Sequence, residues 1–289
     1  MKNNEWLEYP KPIKLVDDAA YYFVIPAEII LEQTINKKLV AVFSYFSIKR
    51  GLDRFVQFSV NDMVAWIGKK PNRNVSGINN KVKICIEWLS ERNYLSQNQM
   101  KDNSSISKVF LNLNKVRQEC DTNRFATIYV DELQKIMTYK NNGKNSDFPC
   151  NELVLLVFAF LRMQIYRRSN KLLPEEINID NKGNCEFDIQ QRRKKCPEAY
   201  DAYYYQIAKE LDLPVDNVSK AVANLGEIGL ICSEELPRFK NGDKWCTDHT
   251  IFCNAYKREG SLLLDTGTDY ICREISNKKA KLNRYRKSK

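Results

Sequence analysis

Apolar residues recur at spacings of three and four through KKLVAVFSYFSIKR, Lys37 to Arg50, where Leu39, Val42, Phe43 and Phe46 form one stripe and predict a helix closed by Gly51. Phe55-Val56-Gln57-Phe58 is rich in β-forming residues and predicts a short strand. Ser59 stands where an N-cap belongs, ahead of VNDMVAWIG, and Gly68 is placed to end that helix. The turn KKPNRNVSG, Lys69 to Gly77, leads into a long helix from Ile78 to Asn93, with Ile78, Val82, Cys85, Ile86 and Leu89 as its expected core positions. Tyr94-Leu95-Ser96 and Lys108 to Leu113 then predict two strands around a polar, glycine-free tip.

The pattern repeats at the level of order. IPAEII, Ile25 to Ile30, is echoed by YVDELQ, Tyr129 to Gln134, so each half opens with a short strand or turn feeding a small helix. Leu39 to Phe43 is echoed by Leu153 to Phe158, within an apolar run, LVLLVFAFL, that reads as a buried helix. SVNDMVAWIGKKP is echoed by AYYYQIAKELDLP, and EWLSERNYL by NLGEIGLI. Leu39 and Gly68 are 29 positions apart, whereas Leu153 and Asp212 are 59 apart, which assigns an insertion to the second copy near 170–197. Lys115 to Arg124, polar and without periodicity, is the expected boundary.

Helix, strand, helix, turn, helix, hairpin is the order of a winged helix, whose third helix can enter the major groove while the hairpin tracks the backbone. The expectation is therefore a mainly α chain with small β-hairpins (α+β): a winged helix-turn-helix domain over 1–118, a second over 119–260, and a basic tail over 261–289. FSVNDMVAWIGKKPNRNVSGINNKVKICIEWLSERNYL, followed by the second copy, resembles the replication initiators and replisome organisers of bacterial plasmids, phages and integrated mobile elements. The resemblance spans residues 22 to 256 in architecture, although only the quoted pieces carry sequence likeness. It implies binding of repeated double-stranded DNA by two winged domains, replication proteins such as a helicase or its loader as partners, and in some members a homodimer through the first domain. The insertion and the cysteine-rich second wing depart from that pattern.

The resemblance and the residue types together nominate a contact set. In the first copy Arg73, Asn74, Ser76, Asn79, Asn80 and Lys83 line the turn and the outward side of the third helix, with Lys101 and Lys108 in the wing. In the second copy Val215, Val218, Val222 and Leu225 are the expected packed face. Asn217, Lys220 and Asn224 are then expected to project outward, with Arg238, Lys240 and Lys244 in the wing and Arg192 and Arg193 in the insertion. Asn pairs bidentately with adenine, whereas Lys and Arg neutralise phosphate. Gly229 is suited to a left-handed exit from the last helix. Of the run Tyr203-Tyr204-Tyr205, helical spacing sends at least one ring inward and one outward. Trp66 and Trp88 read as core anchors.

Charge changes this picture modestly. Forty-six Lys and Arg against 36 Asp and Glu give +10 over 289 residues, but seven of the positive charges, with no acid among them, lie between Lys278 and Lys289. MKNNEWLEYPKP carries charge and proline where a signal peptide needs an apolar segment, and the longest apolar run is too short to span a bilayer. Nine cysteines with no CxxC pair suit reduced thiols in the cytoplasm. Cys232, Cys246, His249 and Cys253 could be counted as a zinc set, but strand alternation would turn Cys246 and Cys253 to opposite faces, so no metal and no cofactor is expected. A single histidine, and no Walker A, GxSxG or GxGxxG motif, argue against an enzyme. A winged-helix transcriptional regulator fits the same residues, and so does an adaptor that uses these domains to bind protein.

Overall fold

A computed structural model describes residues 22–32, 34–35, 37–50, 55–72, 74, 77–96, 103–139, 150–165, 199–235, 239–241, 244–246 and 250–255. It is a mixture of helices and small antiparallel sheets. By its contacts the chain divides into two compact units. One comprises Val16–Met163 and Tyr205–Ile228, the other Met1–Leu15, Gln164–Tyr204 and Gly229–Lys289. Among the described residues no helix is long and apolar enough to cross a membrane.

The first unit is organised around α2 (Leu39–Lys49), which is buried from Leu39 through Phe46 on every side. The stripe expected from the sequence is thus too narrow. Ser44 tolerates full burial because its hydroxyl donates to the Val40 carbonyl at 2.7 Å. Phe43 meets Tyr94 edge to face, Phe46 meets Phe58, and Tyr45 meets Trp66. Each such ring contributes about 1.5–3 kcal/mol by leaving water.

Around α2 lie β1 (Tyr22–Pro26), α1 (Ala27–Ile30), β2 (Phe55–Phe58), α3 (Val60–Trp66), α4 (Ile78–Glu91) and β3 (Ser107–Phe110). β2 pairs with β3, and Leu95 bridges to Leu111 on the other side of the same strand's continuation. The strand expected at Tyr94 to Ser96 therefore contracts to one bridge. Asn93, at a φ of 62°, turns the chain out of α4 before it.

The segment expected to be an unstructured boundary is instead a helix, α5 (Leu113–Thr122), and residue 118 lies inside it. The Asn112 side chain accepts the Lys115 N–H at 3.1 Å, which starts the helix, while Lys115 pairs with Glu119 one turn on. Its only buried residue is Val116, so almost no apolar stripe was there to be read. After it, β4 (Phe125–Tyr129) pairs with β1 in antiparallel register from Tyr22↔Tyr129 to Pro26↔Phe125. The openings of the two halves thus form one sheet.

α6 (Val130–Thr138) and α7 (Asn151–Ile165) follow. α7 is the expected buried helix, and it carries Arg162 into the interior against Glu132, with Glu132 0% exposed and the Arg162 side chain 3% exposed. Glu132 also accepts the Tyr129 N–H at 2.9 Å through its second oxygen, so one carboxylate caps α6 and neutralises the guanidinium.

The remaining elements are β5 (Ala199–Ala202), α8 (Tyr204–Glu210), α9 (Val215–Glu227), β6 (Ile231–Glu235), β7 (Phe239–Asn241), β8 (Lys244–Cys246) and β9 (Thr250–Asn254). β9 is central in the order β5-β9-β6, and among the described residues β7 pairs only with β8. Lys244–Cys246 and Thr250–Asn254 are separate strands in separate sheets, so the alternation argument about Cys246 and Cys253 does not apply to them. Tyr204 meets Phe252 edge to face while Tyr205 is 55% exposed, which divides the tyrosine run as expected.

Candidate nucleic-acid interface

Both copies present a helix, a turn and a second helix, and in each case local chemistry fixes the turn. In the first, the Ser59 hydroxyl accepts the Asp62 N–H at 3.1 Å and starts α3, and Gly68 ends it at a φ of +81°. The path to α4 is held by asparagines. Asn79 accepts the Asn72 N–H and donates to the Asn61 side chain, both at 2.8 Å, and Asn72 accepts the Asn74 N–H at 3.0 Å. Gly77 closes the turn with its N–H on the Asn74 carbonyl. A Cβ there would stand 2.8 Å from that oxygen and 2.9 Å from the Asn72 carbonyl, so the turn admits only glycine without rearrangement.

Asn79 is 2% exposed, which corrects its expected place on the outward face. It shares the stripe of Val82, Ile86 and Leu89 and is the pin of the turn. Replacing Asn79 with Ala orphans the Asn72 N–H and the Asn61 side chain. A loss of about 1–2 kcal/mol is expected in a urea titration, the net worth of two hydrogen bonds, because Asn72 is exposed and Asn61 half-buried, so water takes up part of what each loses.

What the first motif does expose is cationic. Lys69, Lys70, Asn74 and Lys81 are exposed, Asn80 and Lys83 are half-buried, and Ile84 is 37% exposed between them. Lys69 lies 3.8 Å from the buried Glu152 carboxylate, so part of its charge is already engaged. Lys81 and Ile84 were not anticipated, although they follow directly from the core set: positions opposite Val82, Cys85, Ile86 and Leu89 on a helix must face outward. Arg73 and Ser76 lie outside the described residues.

In the second motif Asp212, at a φ of 47°, makes the turn, and Pro214 caps α9. Lys37 donates to the Leu211 carbonyl at 2.7 Å and pairs with Asp212 at 3.2 Å, fastening the C-terminal end of α8. Tyr139 hydrogen bonds Glu227 at the far end of α9. The packed face of α9 is Val218, Ala221, Val222, Asn224 and Leu225. Val215 is 45% exposed and Asn224 is 2% exposed, so the expected positions of these two are reversed. Asn217 and Lys220 are half-buried at the surface of α9. Gly229 leaves α9 at a φ of 70°, in the left-handed region its position required.

The two motifs differ in charge. Residues 69–84 hold Lys69, Lys70, Arg73, Lys81 and Lys83 and no acid. The window at the same offset from α9, residues 206–221, holds Lys209 and Lys220 against Glu210, Asp212 and Asp216. The balance is +5 against −1, and it distinguishes faces that the order of elements makes equivalent.

On the sheet, Lys108 is exposed with its ammonium 4.6 Å from the centre of the Phe55 ring, beside Phe110, which is 53% exposed. Lys240 and Lys244 lie on β7 and β8, in register opposite Trp245 and Asn241. Lys101, Arg192, Arg193 and Arg238 lie outside the described residues, as do His249 and the tail. Among the described residues no group of three or more His, Cys, Asp or Glu side chains is gathered for a metal. In comparisons with known proteins, no family model matches the chain and no curated protein matches it.

Proposed function

We propose that this chain binds double-stranded DNA through two winged helices, the first supplying most of the affinity, and that it serves to initiate or organise replication of a plasmid or mobile element. The observation that carries DNA binding is the turn into α4, where 16 residues hold five cations and no acid, and only Lys69 of the five is described beside a carboxylate, that of Glu152. A surface of that kind gains affinity by releasing the counterions condensed on phosphates. Its exposed Asn74 and half-buried Asn80 supply donors and acceptors of the type that read base edges. The strand order supports the winged-helix reading: β5-β9-β6 in the second copy, and β2-β3 with the Leu95 bridge in the first, place equivalent strands in equivalent order.

The replication role rests on the resemblance stated above, and a transcriptional regulator would use the same surface. A second reading, as a protein adaptor, is favoured for α9 alone, because a face of balance −1 is ill suited to phosphate.

Mobility shift against mixed duplex DNA tests the proposal. Retardation is expected at low salt, with affinity falling roughly 10³-fold or more between 50 and 200 mM salt if about six phosphates are contacted. No retardation at low salt would overturn DNA binding. A circular DNA carrying this gene and its flanking sequence, introduced into a suitable host, separates replication from regulation: autonomous maintenance supports the former.

A further inference from the structure

In the second unit, β6 and β9 are paired so that Cys232 stands directly opposite Cys253. Directly opposed residues of an antiparallel pair share a face, with Cα atoms about 4.5 or 5.5 Å apart according to the hydrogen-bonding pattern, and disulfides span about 4.4–6.8 Å. Both spacings fall within that Cα range, and a small adjustment of the pair brings the Cβ atoms, about 4.5–5.5 Å apart across a ladder, to the roughly 3.5–4.5 Å of a disulfide. Both cysteines are unbridged thiols in this structure. They differ in access: Cys253 is 2% exposed, whereas Cys232 is half-buried.

We infer that Cys232 and Cys253 form an intramolecular disulfide site, loaded by thiol–disulfide exchange with a small disulfide such as glutathione disulfide. Cys232, the accessible member, gives up its proton and attacks one sulfur of the oxidant. A mixed disulfide forms and one glutathione thiolate leaves with that proton. Cys253, deprotonated in turn, attacks the Cys232 sulfur from across the ladder. The protein disulfide forms and the second glutathione leaves as the thiol, so two protein thiols are oxidised and one glutathione disulfide becomes two glutathiones. Among the described residues Cys85, Cys120 and Cys150 are poor competitors: burial pushes the first two up to about 12 and also raises Cys150.

The bond would join the strands on either side of β7 and β8, fixing the base from which that hairpin extends.

The test uses the full chain, reduced, freed of reductant and incubated folded with glutathione disulfide. Non-reducing peptide mapping is expected to show a Cys232–Cys253 linkage, with a mass loss of about 2 Da and no retained glutathione. Cys253→Ser is expected to trap glutathione on Cys232, a gain of about 305 Da. Cys232→Ser is expected to show neither linkage nor an adduct on Cys253. No linked peptide from the folded wild type, or glutathione retained on its Cys232, would overturn the proposal. An adduct on Cys253 in Cys232→Ser would overturn the assigned order of attack.

Discussion

Reversing the charge of Lys81 and Lys83 together, as Lys81→Glu/Lys83→Glu, is expected to lower duplex affinity about 10²–10³-fold at low salt and to flatten the slope of log K against log salt by about two. Both residues are on the unburied side of α4, and neither is in an ion pair described for this fold, so the melting temperature should move little. The informative comparison is Lys220→Glu in α9. If the charge balance assigns the duplex to the first motif, this variant loses only a few-fold. Equal losses at both sites would mean that the two motifs share the work and that the balance of +5 against −1 is irrelevant. Unchanged affinity in the double variant would remove α4 from the interface.

The largest stability effect is expected at the buried ion pair. Arg162→Met leaves the Glu132 carboxylate at 0% exposure with no guanidinium beside it, and should cost about 3–5 kcal/mol in urea denaturation. Adding Glu132→Gln should recover most of that loss. Glutamine is neutral, and its side-chain oxygen can still accept the Tyr129 N–H that opens α6. The guanidinium also lies 4.9 Å from the centre of the Phe158 ring, a contact that methionine partly replaces through sulfur and area. A single variant as stable as the wild type would show that water reaches the site.

The elements legible in the sequence were those that announce themselves locally. Ser59, Gly68 and Gly229 mark helix ends by their own hydrogen-bonding or backbone character, and all three do so in the structure. Periodicity located α4 because its apolar face is narrow, but it failed for α5, which buries one valine. On α9 the spacing of Val215, Val218, Val222 and Leu225 set the expected core face. The helix instead packs through Val218, Ala221, Val222, Asn224 and Leu225, a face rotated from the expected one, which leaves Val215 in the first turn at its exposed edge. For the candidate site, the asparagines misled most. Asn79 and Asn224 are of the residue type that reads adenine, yet both lie on core stripes, where spacing rather than chemistry decides the direction of a side chain. Side-chain type suggested the contact set, whereas the cation count of the turn and the phase of α4 are what the proposed interface rests on.

The pairing of β1 with β4 sets the timetable of assembly. The two strands are separated by about a hundred residues, and α2 packs against β1. At a synthesis rate of about 5–20 residues per second, β1 waits about 5–20 s on the ribosome before its partner exists. During that interval α2, apolar on every side, has an incomplete cover, and a chaperone that holds apolar segments would find its binding site there. The sheet of β1 and β4 closes only once Tyr129 has been made, and the first compact unit later still, since it also includes Tyr205–Ile228, so synthesis of the second half is a condition for completing the first.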